Sequence, residues 1–179
     1  MHPVIRSSVA AMLVALSTPA AAEVVSSNNN GFELRQTVEL RVLPEAAFDV
    51  FTQVSRWWDD AHTYSGKSAN LSLLARPGGC FCERLPNGGG VEHMRVAYAA
   101  PGDRLVMTGS LGPLLYEATS GVMDVRFERA AGGSRLTLNY KVAGFANGGA
   151  AKLAPLVDQV LAGQIGRYRK FAAARPRRR

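Results

Sequence analysis

The stretch GGAAKLAPLVDQVLAGQIGRYRKFAAA, residues 148–174, decides the fold, because it is the longest segment of the sequence with a helical pattern. Side chains recur along it at intervals of three and four residues, which places them on one face of an α-helix. Pro155 either lies in the first turns of this helix or kinks it. The pattern therefore predicts a long C-terminal helix whose recurring positions are Leu153, Leu156, Val157, Val160, Leu161, Gln164, Ile165 and Tyr168.

Ahead of this segment the sequence predicts one strand, one helix and then a run of short strands. Residues 31–43 alternate apolar and polar side chains, as a half-buried strand does, and Pro44 begins a helix whose pattern reaches Trp58. The turn sequences PNGGG, PGD and AGG separate the later strands. Strands joined by tight turns pair antiparallel, so we expect an α+β fold in which a curved antiparallel sheet wraps around the last helix. Such a sheet leaves a cavity between itself and the helix.

This order of elements resembles the START-like or polyketide cyclase superfamily (SRPBCC), which has the helix-grip fold. The resemblance covers residues 31–173, and within the superfamily the sequence is similar to the branch named after activators of the heat-shock chaperone ATPase. It implies a pocket lined by aromatic side chains, in proteins that range from chaperone cofactors to lipid carriers and cyclases. The segments that carry it are LPEAAFDVFTQVSRWW, HTYSG, LLARPGGCFCERLPNGGG, PGDRLVMTG, GGSRLTLNYKVAGF and the final helix.

The N-terminal segment of the chain predicts an exported protein. Residues 1–22 have a weakly basic start, an apolar run too short to span a bilayer, and a small-residue cleavage site ending at Ala22, as a signal peptide does. We expect a polar leader at 23–30, the folded domain at 31–173, a basic disordered tail at 174–179, and a periplasmic or secreted location. An exported protein does not meet a cytosolic chaperone, which argues against the activator role.

The positive charge of the chain is concentrated at its ends. The formal net charge is +7; subtracting the one charge of Arg6 leaves +6, and subtracting the four arginines of the C-terminal tail leaves +2. No pattern of interleaved basic and aromatic residues typical of nucleic-acid-binding modules accompanies them. We therefore expect no nucleic-acid partner and no stable membrane span, and a monomer or homodimer.

Two adjacent tryptophans, Trp57 and Trp58, lie near the expected end of the first helix and cannot share one face. One should point into the core, and the other should cover the mouth of the cavity or pack under the following loop. An apolar ligand between sheet and helix would meet mostly apolar walls with a few polar anchors. The candidate ligand-binding residues are Trp58, Tyr64, Phe81, Met94, Met107, Tyr116, Met123, Tyr140, Leu156 and Val160.

Glu83 and His93 are the candidates for chemistry. Glu83 lies in the otherwise apolar strand CFCERL, and His93 follows across the PNGGG turn, so the two could be neighbours. In an apolar cavity such a pair would have shifted pKa values and could transfer protons. In the alternative, one or both residues face solvent, or Glu83 pairs with Arg84, Arg95 or Arg104 on the surface of the sheet. No nucleophile motif, phosphate loop or dinucleotide fingerprint is present, so no cofactor is expected.

Cys80 and Cys82 lie two residues apart on a strand and so point to one face. Two thiols, a disulfide that needs a bend or bulge, and a redox role all remain open. No metal site is expected, because the cysteines lack the C-x-x-C spacing and partners that zinc requires.

Three functions are therefore considered. The first is binding of a small apolar molecule by an exported helix-grip protein. The second is a cyclase-like or hydrolase-like enzyme that uses Glu83 and His93 for proton transfer. The third is a protein that acts through a partner surface, with its cavity filled by its own side chains.

Overall fold

The structure is a computed structural model that describes residues 21–174. The predicted signal peptide lies outside the described residues except for its last two, and the basic tail does so except for Ala174. The predicted α+β helix-grip fold is confirmed: eight antiparallel strands form one sheet that packs against a long C-terminal helix. The sheet order is β1-β2-β8-β7-β6-β5-β4-β3. The bounds are β1 Ala21–Asn28, β2 Gly31–Leu40, α1 Pro44–Thr52, β3 Leu71–Leu73, β4 Cys80–Arg84, β5 Gly90–Ala100, β6 Arg104–Gly109, β7 Ala118–Ala130, β8 Gly133–Phe145 and α2 Ala154–Ala173.

The first strand includes most of the segment that was predicted to be a polar leader. Residues 21–28 pair antiparallel with β2 as the edge strand of the sheet. The side chains of residues 23–28 are all exposed, so the segment has no buried face and lacks the alternation that would have predicted a strand. Its backbone hydrogen bonds to β2, rather than side-chain burial, attach it to the domain.

The first helix ends earlier than its apolar pattern predicted. Pro44 lies in its first turn as expected, but the helix ends at Thr52 and a short 3-10 turn, Val54–Arg56, follows. The side chains of Thr52 and Gln53 both donate hydrogen bonds to the Asp49 carbonyl. Such side-chain bonds compete with the backbone bonds of a continuing helix. The chain therefore turns before Trp57 and Trp58.

The core lies between the inner face of the sheet and the two helices. Helix α2 packs against β2, and α1 packs against β7 and β8. Trp57 is buried and is in ring contact with Phe51 and Tyr168, at 5.4 Å between centroids in each case. The Tyr168 hydroxyl donates a 2.9 Å hydrogen bond to the Ala47 carbonyl, which joins α2 to α1. Neither helix within residues 21–174 combines the length and apolar composition needed to cross a bilayer.

Candidate functional site

A cavity of about 390 Å³ lies at one end of the molecule, between the sheet and the first half of α2. Ligand-binding pockets commonly have volumes of this order. Its walls come from β4, β5, α2, the loop before β3, and the loop between β6 and β7. The lining residues are Trp58, Ala61, His62, Thr63, Tyr64, Phe81, His93, Leu111, Gly112, Pro113, Leu114, Tyr116, Glu117, Leu153, Leu156, Val157, Val160 and Leu161. Side chains therefore do not fill this space, which contradicts the filled cavity assumed in the third function considered above.

Part of the predicted ligand-binding set lines this cavity. Trp58 is half-buried at its inner end, whereas Tyr116 and Leu156 are 78% and 62% exposed and mark its mouth. Six of the ten predicted residues lie in the walls: Trp58, Tyr64, Phe81, Tyr116, Leu156 and Val160.

The other four predicted residues, Met94, Met107, Met123 and Tyr140, are buried outside the cavity walls, and their prediction is corrected here. Met107 and Met123 are directly opposite each other on β6 and β7 and border a much smaller void of about 20 Å³ deeper in the core. Tyr140 is the cross-strand partner of Met123. All four are buried, and Trp57 borders the same small void as Met107 and Met123.

Tyr140 supports the cavity from behind. Its hydroxyl accepts a 3.3 Å hydrogen bond from the Leu111 amide, which begins the loop of the cavity wall. Gly121 makes room for the ring, because a Cβ at this position would lie 2.6 Å from Tyr140 Cε2. The tyrosine therefore positions the wall without contacting the cavity.

Apart from Tyr116, the loop between β6 and β7 was not predicted to line the cavity. Its residues 111–114 and Glu117 line the cavity, as do His62, Thr63 and two further positions of α2, Leu153 and Val157. The helix positions could have been found, because Leu153 and Val157 belong to the same helical pattern as Val160. The loop carries no periodic signal, and only its apolar content, LGPLLY, indicates burial.

Glu83 is buried and accepts three hydrogen bonds. Its Oε1 accepts from the Ser65 amide at 2.5 Å, and its Oε2 accepts from the Tyr64 amide at 3.1 Å and from His93 Nε2 at 3.0 Å. The side chain has no exposed surface. The carboxylate thus joins the loop of Tyr64 and Ser65 to the sheet, and the surface alternative is wrong.

The arginines proposed as partners for Glu83 have other positions. Arg95 is paired with Glu92 on the outer face of the sheet, and Arg104 makes a two-bond ion pair with Asp124. Arg84 is exposed at the end of β4.

A β-bulge turns His93 toward Glu83. Phe81 pairs with Met94, but the next residue, Cys82, pairs with Glu92, so His93 is an extra residue on β5. The bulge reverses the alternation of β5, with the result that His93 and Met94 are both buried while Glu92 is exposed. The predicted neighbourhood of Glu83 and His93 is therefore correct, and the bulge produces it.

The pair consists of a carboxylate and a neutral imidazole. Burial raises the pKa of Glu83, but the hydrogen bonds from Ser65, Tyr64 and His93 outweigh it, and the net shift is downward. Burial lowers the pKa of His93 below its ordinary value, although the nearby carboxylate opposes the shift. Since an ionised carboxylate can only accept, His93 donates through Nε2–H. The lone pair of this neutral tautomer is then on Nδ1.

A continuous series of ring contacts runs from the core to the mouth of the cavity. Trp57 contacts Trp58 at 5.6 Å between centroids, and Trp58 contacts Phe81 at 5.3 Å. Phe81 contacts His93 at 5.0 Å, and His93 stacks on Tyr64 at 5.8 Å. Trp57 lies in the core, as predicted for one of the two tryptophans. Trp58 lies in the cavity wall and is hydrogen-bonded to the following loop, rather than covering the mouth.

Helix α2 also fixes the position of the tryptophans. The side chain of Gln164, itself buried, accepts a 2.9 Å hydrogen bond from the Asp59 amide. Arg167 Nε donates to the Trp57 carbonyl at 3.1 Å. The Trp58 indole N–H in turn donates to the His62 carbonyl at 2.9 Å, which holds the loop that lines the cavity.

Cys80 and Cys82 form a disulfide on the outer face of β4, with their Cα atoms 5.4 Å apart. Within residues 21–174, their sulfurs and a Glu92 oxygen make up a cluster of potential metal ligands. In the disulfide the sulfurs are not thiolates, and Glu92 is ion-paired with Arg95. The cluster is on the opposite face of the sheet from Glu83 and His93.

No protein-family model and no curated protein matches this chain. Solved structures do match. An uncharacterized protein from Rhizobium leguminosarum is 19% identical, with a TM-score of 0.57 over 87% of this chain and 98% of that one. The Mll3558 protein from Rhizobium loti is 21% identical, with a TM-score of 0.57 over 82% and 99%. CalU16 from Micromonospora echinospora is 11% identical, with a TM-score of 0.56 over 88% of each chain.

At these identities the likeness concerns the fold alone. Fold and site together define a helix-grip α+β protein with a mostly apolar cavity between its sheet and its C-terminal helix.

Proposed function

We propose that this chain binds a small apolar molecule in the cavity between sheet and α2. The observation that supports the proposal is an unfilled space of about 390 Å³ whose walls are mostly aliphatic and aromatic. Contact between such walls and water is unfavourable. Covering the apolar surface with a ligand contributes about 25 cal/mol of favourable free energy per Å² removed from water. The resemblance to the chaperone-activator branch rests on the sequence segments given above and adds no further function.

The first test is native mass spectrometry of the protein purified from its own cells, which would identify a retained molecule. The second is calorimetric titration with 4-methylbiphenyl, an apolar probe. Val160→Trp should abolish binding, because Val160 lines the cavity and the larger ring would occupy it. Gln159→Trp is the matched control, since Gln159 is exposed on the same helix and outside the cavity walls. Equal loss of binding in both variants, or none in either, would contradict the proposal.

We propose further that the protein is exported and that its mature form begins near Glu23. The basic start, short apolar run and small-residue site of residues 1–22 support this. Expression of the full chain, fractionation of the cells and N-terminal sequencing test it. Recovery of the intact chain from the cytosol alone would refute export.

A second candidate, an enzyme that transfers protons, is favoured by one observation: Glu83 holds His93 at the cavity wall in the tautomer whose Nδ1 can accept a proton. A bound ketone tests it. If Nδ1 removes a proton from the methyl group of 4-acetylbiphenyl and later returns one from solvent, that group exchanges its hydrogens in D₂O. His93→Gln should stop the exchange, and an exchange rate equal to that in buffer would exclude this candidate for ketones.

A further inference from the structure

The walls of the cavity contain one buried polar side chain, that of His93, which is 5% exposed. Its Nε2 is occupied by Glu83. No residue within 21–174 donates a hydrogen bond to Nδ1. Every fully buried side-chain nitrogen or oxygen in this part of the chain has a hydrogen-bond partner, so Nδ1 is not fully buried. Nδ1 is therefore accessible, and the open space that His93 borders is the cavity.

The other polar side chains of the walls are either hydrogen-bonded elsewhere or exposed. The Tyr64 hydroxyl donates to the Gly112 carbonyl at 2.7 Å, and the Thr63 hydroxyl donates to the Asp60 carbonyl at 2.8 Å. The Trp58 N–H is bonded to the backbone, and Glu117, which is half-buried, accepts from the Asn147 amide. His62 and Tyr116 are exposed. An apolar ligand inside the cavity thus meets one buried side-chain acceptor.

We propose that the ligand carries one neutral hydroxyl, an alcohol or a phenol, which donates a hydrogen bond to His93 Nδ1 while the rest of the molecule fills the apolar walls. This inference rests on the proposed binding function and names the class of ligand. A carboxylate would not fit this position, because the unprotonated Nδ1 has no hydrogen to donate to it. The negative charge of Glu83, on the other side of the imidazole, would also repel it.

Glu83 is a positioning residue in this arrangement. It fixes both the orientation of the imidazole and the nitrogen that carries the proton, so Nδ1 is an acceptor before the ligand arrives. A preformed acceptor needs no reorganisation on binding, and a neutral hydrogen bond then favours the hydroxyl over a methyl group by about two- to tenfold.

The experiment compares 4-phenylphenol with 4-methylbiphenyl, which have nearly the same shape and differ in the donor. Calorimetric titration of the full-length mature protein should give the phenol the tighter binding by about two- to tenfold, and biphenyl-4-carboxylate the weakest. His93→Phe should remove the preference for the phenol while 4-methylbiphenyl still binds. Gln159→Phe, at an exposed position of α2 outside the cavity walls, is the control and should keep the preference.

Imidazole ¹⁵N NMR of the unmutated protein provides the second measurement, independent of whether His93→Phe folds. The Nδ1 resonance of His93 should be that of an unprotonated nitrogen and should move when 4-phenylphenol binds but not when 4-methylbiphenyl binds. If both probes bind equally and Nδ1 does not respond, this inference is wrong and the binding function stands. If neither probe binds, the binding function fails and the inference with it.

Discussion

Replacing Glu83 with glutamine keeps the shape of the side chain and removes its charge and one acceptor. Three N–H groups converge on the carboxylate, one on Oε1 and two on Oε2. An amide has one oxygen and one NH₂ group, so in either orientation at least one N–H faces another donor. An unsatisfied buried donor costs about 1–3 kcal/mol, and bonds to a charged group contribute about 1.5–3 kcal/mol each. We therefore expect Glu83→Gln to lower the free energy of unfolding by about 2–4 kcal/mol.

Glu92→Gln is the control for this substitution. Glu92 lies on the neighbouring strand and pairs with Arg95, but its side chain is 43% exposed. Exposed ion pairs contribute between zero and about 1 kcal/mol. Equilibrium urea unfolding followed by far-ultraviolet circular dichroism measures both variants. If Glu83→Gln proves no more destabilising than Glu92→Gln, then the three hydrogen bonds do not hold the loop to the sheet as described.

The pH dependence of stability gives a second readout. The native pKa of Glu83 lies below its ordinary value of 4.5, so the unfolded chain takes up the proton first as the pH falls. The contribution of Glu83 is complete above about pH 4.5 and is lost as the pH falls through the native value. His93 acts in the same direction, because its native pKa lies below 6.5 and the unfolded chain again binds the proton first. The unfolding free energies of the wild type and Glu83→Gln should therefore converge below pH 4.5, and a constant difference would contradict the lowered pKa of Glu83.

Four further variants test the packing and the disulfide. Trp57→Ala should lower the free energy of unfolding by about 3–5 kcal/mol, because it removes a buried ring. Trp58→Ala should lower it less and should weaken the binding of 4-methylbiphenyl. Equal losses of stability would place both rings in the core. Replacing Cys80 and Cys82 together by serine should cost about 2 kcal/mol or less, because the disulfide closes a very short loop, and a larger loss by urea unfolding would contradict that reasoning. Gly121→Ala should cost about 1–3 kcal/mol, because the added methyl overlaps a buried tyrosine ring, and a thermal unfolding midpoint equal to the wild type would show that the ring can move freely.

The sequence was sufficient to predict the features that depend on periodicity and turn chemistry. The pattern around Val160 predicted α2, Pro44 predicted the start of α1, and the glycine-rich turns predicted the antiparallel pairing. The edge strand β1 could not be predicted, because its side chains are exposed on both faces and only its backbone joins the sheet. A one-residue bulge such as that at His93 also leaves no periodic trace.

The candidate site could be predicted only in part, because periodicity shows which side chains are buried but not which of them border a cavity. Strand alternation alone could show that Met107, Met123 and Tyr140 face inward, but not which part of the interior is empty. That depends on how far Trp57 and its neighbours reach, which is a property of the packed core.

The series of ring contacts also gives the protein a spectroscopic reporter of its own. Its two tryptophans are in contact, with centroids 5.6 Å apart and ring planes inclined by 53°, and only Trp58 borders the cavity. Two indoles at this separation couple their electronic transitions, so the near-ultraviolet circular dichroism of the native protein should contain a paired band that Trp58→Phe removes. A molecule that enters the cavity meets one member of the coupled pair, and its arrival should be visible as a change in intrinsic fluorescence without any attached label.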